Sequence, residues 1–503
     1  MVQSIRSKIR VISSALLVLA FLSLCLIPAR IDGQRFPANG ASRKTNSADQ
    51  TIAVLFLSDI HFDPFHDPGK AKQLADAPES EWNSIFALRS SDGADAAFEA
   101  LQKKCGAKGV DTPPALLDSA IAAMKARQPE TKFMLVSGDL VVHDFPCRYK
   151  TLFPDAPAAD YEAFVLKTIS YVARELRGTF PGMPVYAALG NNDSGCQDYR
   201  LDANSEFFAK AGEILSAGIQ VAQQNAMKTE FAMEGNYNIL LPLPMRNTRL
   251  IVLNDTFEST KYKTCAGAKD SKGPDVEIAW FKKQLADARR AGQRVWVMGH
   301  IPPGVDPYAT AEKFKDVCGG EDPVMFLTST AIPDLMTEYG DEIKLGIFAH
   351  THMDEMRLLR REGADHPGVA RGVPVKMIPS ISPVHGNRPS FTVALVSASS
   401  ATLKDYTVMA ASSLTGEDTK WTPEYSYSKA YGQQEFSSAA LQSTIEKFDS
   451  DNLALLPESE NYLRSYFVGD HIKELTPFWM QYACVLNNYT SRGYAACVCH
   501  TGK

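Results

Sequence analysis

The chain has 503 residues, 45% of them hydrophobic and 10% aromatic, which is enough to bury one large core and a smaller appendage. Its formal net charge is −6 at pH 7. A nucleic-acid-binding surface normally carries a basic patch, and no stripe of lysine and arginine interleaved with aromatic residues occurs in the sequence, so we expect no nucleic-acid recognition.

The first 50 residues have the composition of a targeting segment and a linker. Residues 1–30 place a basic head before the apolar run VISSALLVLAFLSLCLI, the pattern of a signal peptide. An uncleaved N-terminal anchor is the alternative, because the run is near the lower limit of about 17 residues for crossing a bilayer. Residues 31–50, rich in Gly, Pro, Ser and Asn, are predicted to be a flexible linker. We therefore expect a protein that is secreted, periplasmic or in the secretory-pathway lumen.

Cysteine usage agrees with export. Removal of Cys25 with a signal peptide leaves eight of the nine cysteines, and an even number in an exported chain predicts up to four disulfides. Eight cysteines allow 105 pairings, so the sequence alone does not choose among them. A rival interpretation makes Cys497, Cys499 and His500 a metal site, although a structural zinc site normally needs four clustered ligands with wider spacing.

Five short apolar runs, each followed at once by polar residues, predict the strands of an α/β core. The runs are TIAVLFLS, KFMLVSG, PVYAALG, RVWVMG and KLGIFA, as expected for strands that are covered on both faces. The polar residues that follow them are, in chain order, Asp59 and His61 in LSDIHFD, Asp139 in VSGDLVVHD, Asn191 in ALGNND, His300 in VMGHIPPG, and His350 with His352 in FAHTHMD. Because open α/β sheets place their sites along the ends of neighbouring strands, we expect these side chains to converge.

The residue types point to a two-metal site. In an extended segment Asp59 and His61 point to the same side, as do His350 and His352, so two such pairs can meet in one small volume. Two cations about 3.5–4 Å apart can turn a bridging water into hydroxide and hold phosphoryl oxygens for in-line attack. Mixed imidazole and oxygen ligands suit zinc, iron or manganese better than calcium or magnesium. We expect two divalent metal ions and favour zinc, with iron and manganese as alternatives.

The motif series DxH, GD, GN, GH and HxH resembles that of the calcineurin-like metallophosphoesterase superfamily over roughly residues 51 to 400. The resemblance implies that residues 51–410 form a four-layer α/β/β/α sandwich. It also implies a ligand set in which Asp139 bridges two metals. The other ligands would be Asp59, His61 and His352 for one metal, and Asn191, His300 and His350 for the other.

One position departs from the commonest pattern of this superfamily. Asn192 stands where many members have the histidine of GNH, and an amide cannot donate a proton at a useful pH. His143, four residues after Asp139, is the predicted replacement, because imidazole is the most frequent general acid near neutral pH, and acid sphingomyelinase and its relatives carry a histidine at that spacing. We predict that His143 protonates the leaving group and that Asn192 binds a phosphoryl oxygen.

Several longer stretches narrow the resemblance to the acid sphingomyelinase-like phosphodiesterases. They are GHIPPG, HTHMDE, SPVHGNRPSF and the C-terminal segment that contains WTPEYSYSKAYG. The segment before residue 51 is too short for the saposin domain of acid sphingomyelinase itself, which points to the sphingomyelinase-like branch. By the same likeness, His385 borders the site, and the first cysteine pairs to expect are Cys265 with Cys318 and Cys484 with Cys497.

Further elements complete the predicted core. Apolar residues at three- and four-residue spacing predict helices over residues 113–127, 158–177 and 275–291. Additional strands are expected over residues 249–254, 374–378 and 391–396. Beyond residue 410 the pattern turns polar and helical, so residues 411–503 are predicted to form a C-terminal helical subdomain that contains cysteines and has no catalytic motif.

Together these features predict an exported phosphodiesterase that hydrolyses phosphodiester or pyrophosphate bonds. We expect a small phosphodiester, a phospholipid head group or a nucleotide as substrate, and contact with a membrane surface. The first alternative is an endopolyphosphatase-like hydrolase, whose polyphosphate would need basic residues along a groove; those near the motifs are Arg148, Lys150, Arg200 and Arg388. The second is a catalytically weak metal-binding module, suggested by Asn192. The sequence does not determine the oligomeric state.

Overall fold

The computed structural model of the protein describes residues 50–127, 131–270, 272–361, 372–469 and 471–500. The predicted signal peptide or anchor and the linker, except residue 50, lie outside the described residues. These described residues form one compact unit. Within the described ranges, no helix combines the length and the apolar character that a membrane span requires.

The described strands form two six-stranded sheets. In chain order they are β1 (Thr51–Leu57), β2 (Thr131–Ser137), β3 (Val185–Ala188), β4 (Tyr237–Leu240), β5 (Thr248–Val252), β6 (Arg294–Met298), β7 (Ile343–Phe348), β8 (Glu355–Leu359), β9 (Val373–Met377), β10 (Ser390–Ser397), β11 (Leu403–Ala411) and β12 (Trp421–Ser426). The first sheet has the order β12-β11-β10-β1-β2-β3 and the second the order β4-β5-β6-β7-β9-β8. All five apolar runs and the three additional predicted strands are therefore strands.

Parallel pairing at the centre of each sheet places several strand ends together. In the first sheet β1 runs parallel to β2 and β2 parallel to β3, with Val136 opposite Ala187. In the second sheet β5, β6, β7 and β9 are parallel in succession. These strands are buried along nearly their whole length. Their carboxyl ends form the edge at which the polar clusters emerge.

Helices cover the outer faces of the two sheets, which confirms the predicted sandwich. The sheets themselves pack face to face, since the rings of Phe56 in β1 and Trp296 in β6 have centroids 6.2 Å apart. Helices are present over all three predicted ranges, residues 113–127, 158–177 and 275–291. In chain order the α-helices are α1 (Ala71–Asp76), α2 (Trp82–Phe86), α3 (Ala94–Cys105), α4 (Pro114–Lys125), α5 (Phe145–Leu152), α6 (Ala158–Thr179), α7 (Glu206–Ser216), α8 (Val221–Glu234), α9 (Lys272–Arg290), α10 (Pro307–Glu312), α11 (Ala331–Glu338), α12 (Tyr427–Tyr431), α13 (Ser438–Asp449), α14 (Pro457–Ser465), α15 (Ile472–Leu475), α16 (Trp479–Val485) and α17 (Ser491–His500).

The C-terminal region combines one strand with helices. Strand β12 pairs antiparallel with β11, with Val408 opposite Tyr425, so the first part of residues 411–503 extends the first sheet. The remainder is helical, from α12 to α17, and the backbone N–H of Leu358 in β8 donates to the carbonyl of Leu486 at 2.6 Å. The boundary that we predicted after residue 410 therefore cuts through a continuous sheet, because side-chain polarity alone hides an edge strand.

The eight cysteines among the described residues form four disulfides, which correct one of the two pairs expected from the family likeness. They are Cys105–Cys147, Cys196–Cys265, Cys318–Cys499 and Cys484–Cys497. The pair of Cys484 with Cys497 is confirmed. The pair of Cys265 with Cys318 is wrong, because a backbone bridge between Arg200 and Lys263 brings Cys265 beside Cys196 instead.

The same bonds exclude the rival metal site near the C-terminus. Cys497 and Cys499 are bonded to Cys484 and Cys318 respectively. Neither sulfur is therefore a free thiolate, which a zinc site at CVC would require.

Candidate active site

The seven predicted metal ligands meet where the carboxyl ends of the parallel strands of both sheets approach each other. Backbone hydrogen bonds tie the segments that carry them together. The N–H of Asp59 donates to the carbonyl of Gly138 at 3.1 Å, and the N–H of His61 donates to the carbonyl of Asp139 at 2.9 Å. Convergence is therefore a consequence of strand order rather than of proximity in sequence.

One side of this site contains two histidines and two carboxylates. The Nε2 of His61 lies 3.2 Å from the Nε2 of His352 and 3.4 Å from Oδ2 of Asp139. The Nε2 of His352 lies 3.5 Å from Oδ1 of Asp59. The Asp139 side chain is 2% exposed, and the side chains of the other three residues are at most 1% exposed. Such a group can bind a cation that is shielded from bulk water.

The other side contains His300, His350 and Asn191. The Nε2 of His300 lies 3.2 Å from Oδ1 of Asn191, 3.3 Å from Nδ1 of His350 and 3.2 Å from Oδ2 of Asp139. The same Oδ2 atom of Asp139 is thus close to a histidine on each side. That position suits a carboxylate shared by two cations.

The backbone conformation of the predicted ligand residues differs from the sequence-based prediction. We expected extended segments, but Asp59, His61, Asp139, His350 and His352 have φ values of 45°, 43°, 53°, 70° and 66°. Residues other than glycine adopt this left-handed region infrequently. Such conformations cost free energy and persist where the surroundings hold them, as at binding sites. The pairs converge because the chain turns at each ligand, and not because side chains alternate along a strand.

Hydrogen bonds at Nδ1 of two histidines determine that their Nε2 atoms face the site. The Nδ1–H of His61 donates to the carbonyl of Val141 at 2.9 Å, and the Nδ1–H of His300 donates to the carbonyl of Ser137 at 2.7 Å. A carbonyl can only accept, so Nε2 of each ring is left as the donor atom for a metal.

Electrostatic interactions separate the four histidines into two pairs. Burial lowers the pKa of a histidine, yet the Asp139 carboxylate raises the pKa of His61 to about 9 and that of His300 to about 10. Burial and neighbouring histidines hold the pKa values of His350 and His352 well below the usual range. Burial opposes ionisation of Asp139, but His300 and His61 lower its pKa.

The donor set fits metal ions. Both carboxylate oxygens of Asp59 are buried and have no hydrogen-bond partner among the described residues, an arrangement that is costly unless a cation binds them. Three groups of residues could each hold a cation, because within each group the ligand atoms lie within 4.8 Å of one another. The groups are His61, His143 and His352; Asp139, His300 and His350; and Asp59, His61 and Asp139.

Three residues that the sequence analysis missed support the ligands from outside. The Tyr199 hydroxyl lies 3.1 Å from Nε2 of His350, and Lys261 donates to that hydroxyl at 3.3 Å. The amide Nδ2 of Asn191 donates to Asp198 at 2.7 Å, which leaves its oxygen free to face the site. Tyr199 and Asp198 follow the GNND motif by a few positions, and no periodicity or spacing distinguishes them.

His143 lies at the predicted place beside the site. Its ring stacks on that of His61 with centroids 3.8 Å apart, and its Nδ1 lies 2.9 Å from Oδ1 of Asp111. The His143 side chain is 27% exposed, unlike the ligands of the His61 side. Nε2 is therefore the nitrogen left to contact a bound substrate.

Asn192 also borders the site, but it is engaged with a ligand. Its backbone N–H donates to Oδ1 of Asp139 at 2.8 Å, and its side-chain Nδ2 donates to Oδ2 of the same residue at 2.9 Å. One hydrogen of the Nδ2 group is left for another acceptor. Asn192 thus positions the shared carboxylate and also faces the adjacent cleft.

A cleft of about 380 Å³ opens beside His143 and Asn192. The His385 ring lies at this cleft with its centroid 4.5 Å from that of His352 and 5.9 Å from that of His143. Loss of solvation at the cleft wall and the nearby His143 lower the pKa of His385 to about 4, although part of its side chain is exposed. The polar residues that line the cleft include Lys108, Asp111, Asp144, Gln197 and Asp198.

Comparison with known proteins agrees with this geometry. A sequence model of the calcineurin-like phosphoesterase family matches residues 52–354. The chain is 25% identical to human acid sphingomyelinase-like phosphodiesterase 3b over 78% of this chain and 81% of the relative. It is 26% identical to sphingomyelinase phosphodiesterase D of Dictyostelium discoideum, over 73% and 76% of the two chains. It is 24% identical to the cyclic GMP-AMP phosphodiesterase SMPDL3A of Rattus norvegicus, over 71% and 73%.

Proposed function

The chain belongs to the calcineurin-like phosphoesterase family, and we propose that its seven converging side chains divide between two metal ions. Asp59, His61 and His352 would hold one ion, and Asn191, His300 and His350 the other. Asp139 would bridge the two. The observation that supports this division best is the position of Oδ2 of Asp139, 3.4 Å from Nε2 of His61 and 3.2 Å from Nε2 of His300.

The protein is a binuclear metallophosphoesterase of the acid sphingomyelinase-like phosphodiesterase type. When bound by these residues, two cations would activate a water molecule near neutral pH and offset the charge of the phosphoryl group. We propose zinc, with iron or manganese as alternatives, because imidazole nitrogens and carboxylate and amide oxygens make up the donor set.

We assign the leaving-group proton to His143. Its Nδ1 is held by Asp111 at 2.9 Å, and the ring lines the cleft next to the metal ligands. A general acid must be within reach of the departing oxygen, and a substrate in this cleft would place that oxygen beside Nε2. Asn192, at the same cleft, would donate its remaining amide hydrogen to a phosphoryl oxygen.

The protein acts on small phosphodiesters, and we propose phospholipid head groups or nucleotides as the finer class. The cleft volume of about 380 Å³ suits a small molecule, since such sites usually have about 300–1,000 Å³. Two of the similar proteins are named for sphingomyelinase or cyclic GMP-AMP phosphodiesterase activity, which supports both options. Contact with a membrane surface stays a prediction.

A polyphosphate substrate is less well supported. Among the residues that line the cleft, Asp144 and Asp198 are exposed carboxylates, and the basic side chains are Lys108 and Arg148. Arg148 is fully buried and pairs with Asp63 at 2.9 Å, so it is not available to a polyanion. A long anionic chain would therefore meet more carboxylates than free cations at this cleft.

We propose an exported location. Four disulfides are typical of proteins from the periplasm, the secretory pathway or the cell exterior and are rare in reducing compartments.

Metal depletion and reconstitution test the two-metal assignment. We expect purified protein to bind about two transition-metal ions per chain and to hydrolyse bis(p-nitrophenyl) phosphate only when they are present. Bound metal without metal-dependent hydrolysis would support the weak binding module instead. A panel of sphingomyelin, nucleoside triphosphates, CDP-linked alcohols and polyphosphate then separates the substrate classes.

The role of His143 has its own test. His143→Ala should lower turnover of diphenyl phosphate, an ester with a poor leaving group, by about 100-fold or more. Turnover of bis(p-nitrophenyl) phosphate, whose leaving group needs less protonation, should fall much less. His471→Ala, which removes a histidine that packs on Phe467 in the C-terminal helical region, is the matched control. Equal effects on both esters, or none on diphenyl phosphate, would refute the assignment.

A further inference from the structure

Asp111 is a buried carboxylate whose hydrogen bonds are directed at His143. Its Oδ1 lies 2.9 Å from Nδ1 of His143 and accepts a hydrogen bond of 2.7 Å from the hydroxyl of Ser382. Its Oδ2 accepts the backbone N–H of His143 at 3.2 Å. The side chain of Asp111 has no exposed surface. Asp111 and Ser382 lie far from His143 in the sequence, and neither belongs to a metal motif.

We propose that Asp111 is a positioning residue of the phosphodiesterase reaction and that it orients the His143 ring so that Nε2 meets the leaving group. This inference rests on the proposed role of His143 as the general acid. In this role Asp111 contacts neither the atoms that would bind metal nor the reacting atoms of the substrate. It acts through the imidazole that it holds.

The His143 ring is fixed in two independent directions. The hydrogen bond to Asp111 lies at its Nδ1 edge, and the stacking of its face on His61 at 3.8 Å, with 23° between the planes, restricts its tilt. His61 is itself anchored through Nδ1 to the carbonyl of Val141. The orientation of Nε2 is therefore tied to the metal centre, and small misplacements of a reacting group can lower rates by about 100-fold.

A carboxylate is needed at position 111, because every partner in this arrangement is a donor. An ionised carboxylate only accepts hydrogen bonds, whereas an amide presents an NH₂ group on one side. In an asparagine at this position that NH₂ would face either the backbone N–H of His143 or the Ser382 hydroxyl and the His143 ring. The ring would then lose its preferred tautomer, its orientation or both.

The local backbone does not depend on the Asp111 carboxylate alone. The next residue, Thr112, forms a bridge with Phe62, its N–H donates to the carbonyl of His61 at 3.2 Å, and its carbonyl accepts the N–H of Asp63 at 2.9 Å. The loop that carries Asp111 is thus pinned to the segment of the metal ligands by main-chain bonds. An Asp111→Asn variant should keep this loop and the metal site in place.

A double-mutant cycle with two esters tests the inference. Asp111→Asn should lower kcat for diphenyl phosphate by about 10–100-fold and should lower kcat for bis(p-nitrophenyl) phosphate by less than about 3-fold. In the His143→Ala background the same substitution should add less than about 2-fold, because a residue that acts through His143 has nothing left to position. Metal content should equal that of the unmodified protein.

Two further variants keep the test decisive. Ser382→Ala removes one of the three donors to Asp111 and should produce the same selective loss on diphenyl phosphate, only smaller. Asp451→Asn, in which the lost carboxylate accepts the N–H groups of Leu455 and Leu456 far from the site in sequence, should leave the ratio of the two rates unchanged. If Asp111→Asn does not fold, the Ser382→Ala result decides.

The outcomes separate this inference from the proposed function. Equal losses on both esters, additive losses in the double variant, or loss of metal would overturn the positioning role of Asp111 while His143 remained the acid. No change on diphenyl phosphate in Asp111→Asn, together with a large change in His143→Ala, would do the same. A His143→Ala variant with full activity on diphenyl phosphate would instead refute the proposed acid itself.

Discussion

Two neighbouring groups of buried carboxylates in this protein have opposite electrostatic character. In the metal site, burial opposes ionisation of Asp139, but His300 and His61 lower its pKa. The second group, which we name the acidic cluster, interacts with few cations. It consists of Glu234, Asp255, Glu258 and Glu277, all of which are buried. Burial raises the pKa values of Glu234, Asp255 and Glu258 to about 7. Burial together with the other three acids raises the pKa of Glu277 well above its usual range.

Burial is common to both groups, so the difference comes from their partners. Asp139 has an imidazole on each side, whereas neither oxygen of Glu277 has a hydrogen-bond partner among the described residues. Asp139, which faces histidines, is kept ionised and can bind cations. Those that face one another are favoured in the protonated form.

Asp255 connects the two groups. Its Oδ2 accepts the backbone N–H of His300 at 2.9 Å and its Oδ1 accepts that of Ile301 at 3.0 Å. Gly299 precedes His300, and a Cβ atom there would collide with the Asp255 carboxylate. The acidic cluster therefore helps to fix the turn that presents a metal ligand, although its other members make no such contact.

The largest expected effect on metal binding and activity comes from removing the negative charge of the shared carboxylate. Asp139→Asn keeps the size of the side chain and abolishes the shared carboxylate. We expect loss of at least one metal ion and a decrease in phosphodiesterase activity of about 1,000-fold or more, since two-metal chemistry provides several kcal/mol. Metal analysis and hydrolysis of bis(p-nitrophenyl) phosphate measure both. If the variant retained two ions and near-normal activity, the Asp139 carboxylate would not be the cation-binding group that distinguishes the metal site from the acidic cluster.

A smaller effect should follow from loosening one ligand without touching its charge. Tyr199→Phe removes the hydroxyl that lies 3.1 Å from Nε2 of His350. Because outer hydrogen bonds orient metal-bound histidines, we expect metal affinity to fall by about 10–100-fold, as measured by competition with a chelator. Tyr262→Phe, which removes a hydroxyl bonded to the carbonyl of Leu201 at 3.3 Å, is the matched control and should leave affinity unchanged.

The smallest effect concerns the acidic cluster and depends on pH. Below about pH 4.5, the usual pKa of a glutamate, Glu277 is protonated in both the folded and the unfolded state. As pH rises, the unfolded chain loses this proton while the folded protein keeps it, because burial raises the folded-state pKa. The free energy of unfolding should therefore decrease as pH rises from about 4.5 towards the folded-state pKa.

Glu277→Gln does not titrate and should remove this dependence. We compare the free energy of unfolding of the variant with that of the unmodified protein. The difference in favour of the variant should be at least about 1 kcal/mol larger at pH 8 than at pH 5, since one pKa unit corresponds to about 1.4 kcal/mol. Urea unfolding at both pH values measures it. Glu99→Gln alters an exposed acid on α3 and should show no such difference. A gain that is equal at both pH values would mean that Glu277 is already ionised in the folded protein.

The strands and the residues that converge at the site were predictable because both depend on local patterns. Continuous apolar runs mark buried parallel strands, and the polar clusters directly after them mark strand ends, so the order of Asp59, Asp139, His300 and their companions was sufficient to expect one site. The edge strand β12 was not predicted, because its exposed face makes its composition resemble that of a loop. The disulfide of Cys265 was mispredicted, since pairing depends on which loops meet.

By itself, therefore, the sequence determined the family, the strands that lead into the site and the residues that converge there, because short-range hydrophobicity and residue chemistry encode them. Only the tertiary structure decided how the ligands are turned and supported. The left-handed conformations at His61 and His352, the contact of Tyr199 with His350, and the hold of Asp111 on His143 join residues far apart in the chain. Their physical cause is the packing of two sheets against each other, which no local pattern records.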